Sequence, residues 1–207
     1  MGRTARSLLA AVLASVVGRA AAAHEAGGVG IGATAYGYVV PDQPNFVMLV
    51  VPADARWFHL EGRYNYESLH TGSMFVGFNA GAGDKLRLDV TGMVGGVFGD
   101  VDGVALGFRL TLAWRRLDLS TEGEFLIDLH HPDASFFYSW SELGVSPLGW
   151  LRLGAVVQRL KVVQTPLEVQ RGLFVSVSFL RFLTATVYEL NLGWTRPTFI
   201  GALGVRY

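Results

Sequence analysis

Thr198-Phe-Ile-Gly-Ala-Leu-Gly-Val-Arg-Tyr207 closes the sequence, and its reading decides the rest. Taken with period two, one set is Phe199, Gly201, Leu203, Val205 and Tyr207, apolar with an aromatic at each end. The other set, Thr198, Ile200, Ala202, Gly204 and Arg206, is mostly small or polar. Successive side chains on a strand point to opposite faces, so the pattern describes one apolar and one mixed face. An apolar outward face flanked by aromatics is the unit of a transmembrane β-barrel. Any amphipathic strand alternates, so the question is whether the chain repeats the pattern.

It does. Over residues 57–67, Trp57, His59, Glu61, Arg63, Asn65 and Glu67 alternate with Phe58, Leu60, Gly62, Tyr64 and Tyr66. Residues 72–82 set Met74, Val76, Phe78 and Ala80 against Ser73, Gly77 and Asn79. Lys85, Arg87 and Asp89 oppose Leu86, Leu88 and Val90 over residues 85–98, and Arg109 lies on the non-apolar face of residues 104–115. Asp118, Glu122 and Glu124 mark one face of residues 117–129. Arg152 marks one face of residues 150–163, where Arg159 and Lys161 fall on the apolar side and can snorkel to headgroups. Glu168 opens the polar set of residues 167–180, and residues 183–194 are mixed in phase. Residues 136–145 place Tyr138 and Trp140 on the face opposite Ser139 and Ser141. Glu142 shares the aromatic face, which predicts a bulge or the strand end just before it.

About ten segments therefore carry one polarity phase, each near the 9–11 residues a tilted spanning strand needs. Residues 31–40 and 46–53 add a hairpin across the Pro-rich 41–45 stretch. Bacterial barrels hold even strand numbers. The expected fold is thus an all-β, up-and-down antiparallel transmembrane barrel of twelve strands, with ten as the alternative. Counting back from Tyr207 as the periplasmic end puts residues 195–197, 164–166, 130–135, 99–103 and 69–71 outside. Residues 180–182, 146–149, 115–116 and 82–84 then form periplasmic turns.

Composition agrees. Of 207 residues, 51% are hydrophobic and only 16% charged, against roughly 25% in soluble domains. Net charge is +0, which offers no case for nucleic acid. Cysteine is absent, so there is no disulfide framework, thiolate site or lipoprotein anchor. Arg3 and Arg6, the apolar stretch 8–17 and Ala21-Ala-Ala23 read as a signal peptide over residues 1–23, followed by one barrel domain over 24–207. Beyond it no apolar run is long enough for a spanning helix, and closed barrels are the other way to satisfy backbone amides in lipid.

The terminal strand resembles that of bacterial outer-membrane proteins, whose final aromatic belongs to the signal read by the barrel assembly machinery. The resemblance implies that machinery as a partner, through Tyr207. Leu60-Glu-Gly-Arg-Tyr-Asn-Tyr-Glu67, Met93-Val-Gly-Gly-Val-Phe-Gly99, Thr121-Glu-Gly-Glu-Phe125, Phe136-Phe-Tyr-Ser-Trp-Ser-Glu-Leu143 and Gln170-Arg-Gly172 resemble a group of uncharacterised proteobacterial exported proteins assigned as outer-membrane β-barrels. That resemblance implies a Gram-negative outer-membrane location and carries no catalytic residues.

The distinctive chemistry is a set of inward charges of both signs: Glu61, Arg63, Lys85, Arg87, Asp89, Arg109, Asp118, Glu122, Glu124, Arg152 and Glu168. Isolated charges in a narrow lumen are costly, so they should pair, either as a fixed plug or as the lining of a narrow gated pore for small polar solutes. A lipid-modifying hydrolase is the alternative class. Its candidates, His70 with Ser73 and the loop group Asp128, His130, His131 and Asp133, do not supply nucleophile, base and orienter together. No catalytic or metal residue is assigned, no cofactor is implied, and an enzyme is not expected. A third class is a lipid- or partner-binding scaffold, with Arg159, Lys161 and Arg171 placed to meet lipopolysaccharide phosphates.

Overall fold

The computed structural model describes residues 29–193 and 197–207; the signal-peptide expectation over 1–23 lies outside them, as do Thr195 and Arg196 of the last external loop. Twelve strands follow in chain order: β1 (Val29–Val39), β2 (Phe46–Ala55), β3 (Phe58–Tyr64), β4 (Thr71–Ala82), β5 (Leu86–Gly99), β6 (Gly103–Trp114), β7 (Leu117–Asp128), β8 (Phe136–Leu148), β9 (Leu151–Val162), β10 (Glu168–Phe179), β11 (Leu183–Leu190) and β12 (Thr198–Arg206). Each pairs antiparallel with its chain neighbours, and β12 closes on β1, giving an up-and-down barrel without edges. Closure extends to the last residue: Ile31 N–H donates to the Tyr207 carbonyl at 3.0 Å and Tyr207 N–H to the Ile31 carbonyl at 2.8 Å. Twelve strands, not ten, are therefore present, and the partner of the terminal strand is β1.

Connections at the rim where β1 begins and β12 ends, the terminal rim, are short. Arg56 and Arg115, in the turns before β3 and β7, take positive φ of 55° and 56°, the twist-matched conformation of tight hairpins. The opposite rim holds the longer loops.

The outward face is a continuous apolar band. Phe78 is 56% exposed, Leu143 57% and Val187 60%, on strands well separated around the barrel. Trp57, Trp114, Trp150 and Phe182 stand exposed at the terminal rim, while Tyr64 and Phe98 stand exposed toward the other. A band of this extent has no stable water-facing state, and with aromatic girdles it matches the lipid face of a membrane barrel. Arginine in place of Phe108, midway along β6 on this face, is expected to destabilise the bilayer-inserted barrel by about 2–4 kcal/mol, read from urea unfolding in lipid vesicles.

Three expectations at residue level are corrected. β3 stops at Tyr64 because Asn65 adopts a left-handed φ of 56°; its Nδ2 donates to the Val47 carbonyl, and its Oδ1 accepts from His70 N–H. Tyr66, read as outward, is therefore buried, and Glu67 is buried with it. On β8 there is no bulge before Glu142: Tyr138, Trp140 and Glu142 share one uninterrupted inward phase, and the register shift falls between Val145 and Leu148. Of the stretch 183–194, the described residues 183–193 form a strand over Leu183–Leu190.

With a single sheet closed on itself, burial means the lumen. Its contents are layered. Toward the loop rim, Phe46, Val97, Phe136, Leu160 and Val162 pack as an apolar cap, with Phe46 stacked on Tyr38 at 4.5 Å. A belt of charged and aromatic side chains fills the middle. Toward the terminal rim, Asp54, Arg87, Asp118, Arg152 and Arg206 remain partly exposed and line a vestibule.

Candidate functional site: a charged belt in the lumen

The centre of the belt is Arg63 on β3. Its Nε donates to Glu61 Oε1 at 2.6 Å and its Nη1 to Glu124 Oε2 across the lumen on β7, with Glu67 Oε1 at 3.6 Å. The guanidinium lies between the rings of Tyr66, 3.9 Å from its centroid, and Phe75, at 4.1 Å. Both faces and the edges of the cation are thus occupied, and aromatic faces stabilise a desolvated guanidinium. Arg109 on β6 donates to Glu61 Oε2 and approaches Glu122 at 3.4 Å, while Tyr66 O–H donates to Glu122 Oε1 at 2.7 Å. β3 and β7 are separated by three strands around the wall, so these contacts span the lumen. At the vestibule side, His59 Nδ1 meets Asp54 Oδ1 at 2.7 Å, Asn79 donates to the same oxygen, and Arg206 stands 3.6 Å from Asp54.

A second centre lies on β7 to β11. Glu142 accepts from Trp140 Nε1 and Tyr188 O–H at 2.9 Å each, and from Arg152 Nη1 at 2.6 Å. Arg152 also forks onto Asp118, Nε at 3.0 Å from Oδ2, and lies over the Phe174 ring at 4.5 Å. Gly144 makes the room: a Cβ there would sit 2.5 Å from Arg152 Nε.

The residues read as a lumen network divide as follows. Glu61, Arg63, Arg109, Glu122 and Glu124 meet in the first centre; Asp118 and Arg152 meet in the second. Arg87 and Asp89 pair with one another at 2.9 Å in the vestibule. Lys85 and Glu168 have the inward phase but stand exposed at the rims, Lys85 in the turn before β5 and Glu168 at the first position of β10. Alternation tells a face and not a depth, and both lie beyond the zone where walls desolvate them. Reading the sequence for charge missed Glu67 and Glu142 as members, and missed Tyr66 as the donor to Glu122 and Trp140 and Tyr188 as donors to Glu142. A buried Tyr or Trp seeks a partner for its polar tip, which was the available signal.

The hydrolase candidates do not assemble. The Ser73 hydroxyl is buried and donates to Glu67 Oε1 at 2.6 Å, whereas His70 is exposed and faces Asp100 at 3.3 Å. His130 lies 3.8 Å from Asp102 and His131 3.9 Å from Asp128; among the described residues no group of three His, Asp or Glu side chains is arranged to hold a metal.

No family model matches the chain, and no curated protein does. Solved structures do. The KdgM porin superposes with a TM-score of 0.62 at 9% identity, covering 84% of this chain and 98% of the porin. The fold is a porin-like barrel. The KdgM porin in complex with disordered oligogalacturonate gives a TM-score of 0.60 at 9% identity, with 85% and 98% covered. Pseudomonas aeruginosa OccK5 (OpdH) is more distant, with a TM-score of 0.46 at 10% identity over 86% of this chain and 66% of that one. At these identities the likeness concerns the fold, while the contents of this porin-like lumen are its own.

Proposed function

We propose that the protein is a narrow, gated pore of the outer membrane of a Gram-negative bacterium, closed at rest and passing small polar solutes. The observation that carries this reading is the chemistry of the obstruction. Mid-lumen, Tyr138 and Glu61 are 0% exposed and Trp140 1%, so the passage is filled at that level. The filling is made of ion pairs and hydrogen bonds reached from a wet vestibule, and such pairs exchange partners for water more readily than an apolar core separates. The porin-like fold and the apolar band support the membrane setting.

Neutralising Glu122 removes the acceptor of Tyr66 and one partner of Arg109. Liposomes carrying Glu122→Ala are expected to swell in small sugars several-fold faster than liposomes carrying the unaltered protein. Equal, protein-independent rates for both would count against a pore. A purely structural barrel is the second reading, favoured by the apolar cap toward the loop rim. It predicts no solute flux from either protein. Oligogalacturonate, the ligand of the KdgM porin complex, is built from uronic acids. The acid-rich belt of this lumen disfavours a polyanion, so that ligand is not carried over.

A further inference from the structure

We infer that the lumen selects for small cations, the acidic excess of its central belt drawing them in and turning anions away. The inference rests on the pore reading above and names the solute class that the same site admits. Glu61, Glu67, Glu122 and Glu124 face the two guanidiniums of Arg63 and Arg109 in the first centre, with the His59 ring 3.6 Å from Glu61. Extending the circle adds Asp54 with Arg206 and His59, which it faces at 3.6 Å and 2.7 Å; five carboxylates then meet three guanidiniums, and one carboxylate is still in excess when His59 is charged. The second centre adds two carboxylates, Asp118 and Glu142, to the single Arg152.

Hydrogen bonds from Tyr66 to Glu122 and from Ser73 to Glu67 relieve the excess only in part. Glu67 Oε2 and Glu124 Oε1 are buried with no hydrogen-bond partner, although both carboxylates abut the one guanidinium of Arg63. A buried carboxylate oxygen left unsolvated draws in either a proton or a mobile cation. No three acidic groups converge as metal ligands among the described residues, so the attraction is that of a field focused by low-dielectric walls rather than a chelate. Rings of carboxylates confer cation preference on channels by this same means. The vestibule supplies the entry path from the terminal rim.

Two measurements on the refolded full barrel decide the matter. In planar bilayers under a tenfold KCl gradient at pH 7, the reversal potential is expected to lie toward the potassium potential. It should move toward zero in the Glu67→Gln/Glu124→Gln double variant. A reversal potential at zero or toward the chloride potential in the unaltered protein overturns the inference while leaving the pore reading intact. Absence of current in every variant counts against the pore reading, and the second measurement then decides. The thermal midpoint of the detergent-folded barrel is expected to be several degrees higher in KCl than in equimolar choline chloride, whose cation is too large to enter the closed belt. The difference should vanish in the double variant. Equal midpoints for the unaltered protein in the two salts mean that protons alone neutralise the belt and overturn the inference.

Discussion

Arg63→Met is expected to be the most damaging single substitution in the lumen. It leaves Glu61 with Arg109 and the His59 ring, strips Glu124 of its cation, and removes the charge nearest Glu67. Breaking a buried ion pair by deleting one member costs about 3–5 kcal/mol because the remaining charge is stranded. Methionine nearly matches the volume between Tyr66 and Phe75, so lost packing is a minor part of the effect. The expected result is a lower urea midpoint for the heat-modifiable, folded band on gels. Adding Glu124→Gln to Arg63→Met should restore part of the loss, because the stranded charge is removed with its partner. A second substitution that deepens the loss would show that packing, not charge, governs the site.

Glu142→Leu should come next in size. One carboxylate there satisfies three donors: the Trp140 indole, the Tyr188 phenol and the Arg152 guanidinium. Each buried donor left without an acceptor costs about 1–3 kcal/mol. Arg152 retains Asp118, so the cost falls chiefly on the two aromatic donors, and a total near 3 kcal/mol is expected. Glu142→Gln keeps one oxygen acceptor for the neutral donors and should cost distinctly less. The two variants compared by urea unfolding in the same detergent separate loss of the acceptor from loss of the charge. Equal costs for both would place the effect on charge alone.

The faces of the strands were legible from the chain because a one-residue slip would reverse every side chain between lipid and lumen. Phe199, Leu203 and Val205 outward with Ile200, Ala202 and Arg206 inward is the arrangement in β12, as read from period two. The less regular stretch 46–53 lies in β2, with Met48 and Val50 inward and Val47, Leu49 and Val51 outward; both faces are apolar because the inward side chains belong to the buried cluster with Tyr36 and Tyr38. Depth was not legible. Lys85 and Arg87 share a phase, yet one ends in a turn and the other in the vestibule, since position along the barrel depends on where each turn closes. Aromatics were ambiguous in the same way. Tyr64 and Tyr66 look alike in sequence, but the left-handed Asn65 between them sends one to the lipid rim and the other into the lumen. Tyr138 and Trp140 were equally able to serve as girdle or filling. What places them inside is a partner far along the chain, Tyr66 for Tyr138 and Tyr188 for Trp140, and such long-range pairing leaves no local period to read.

A pore of this kind requires a lumen that is closed by a belt able to rearrange. Single-channel recording of the refolded protein in planar bilayers tests this most directly, with Phe136→Ser/Glu122→Ala as the companion that loosens cap and belt together. The expected record for the unaltered protein is long closed periods broken by brief, small openings, and for the double variant frequent, longer ones. A steadily open, high-conductance unaltered pore, or silence from both proteins when gels show each to be folded, would contradict it.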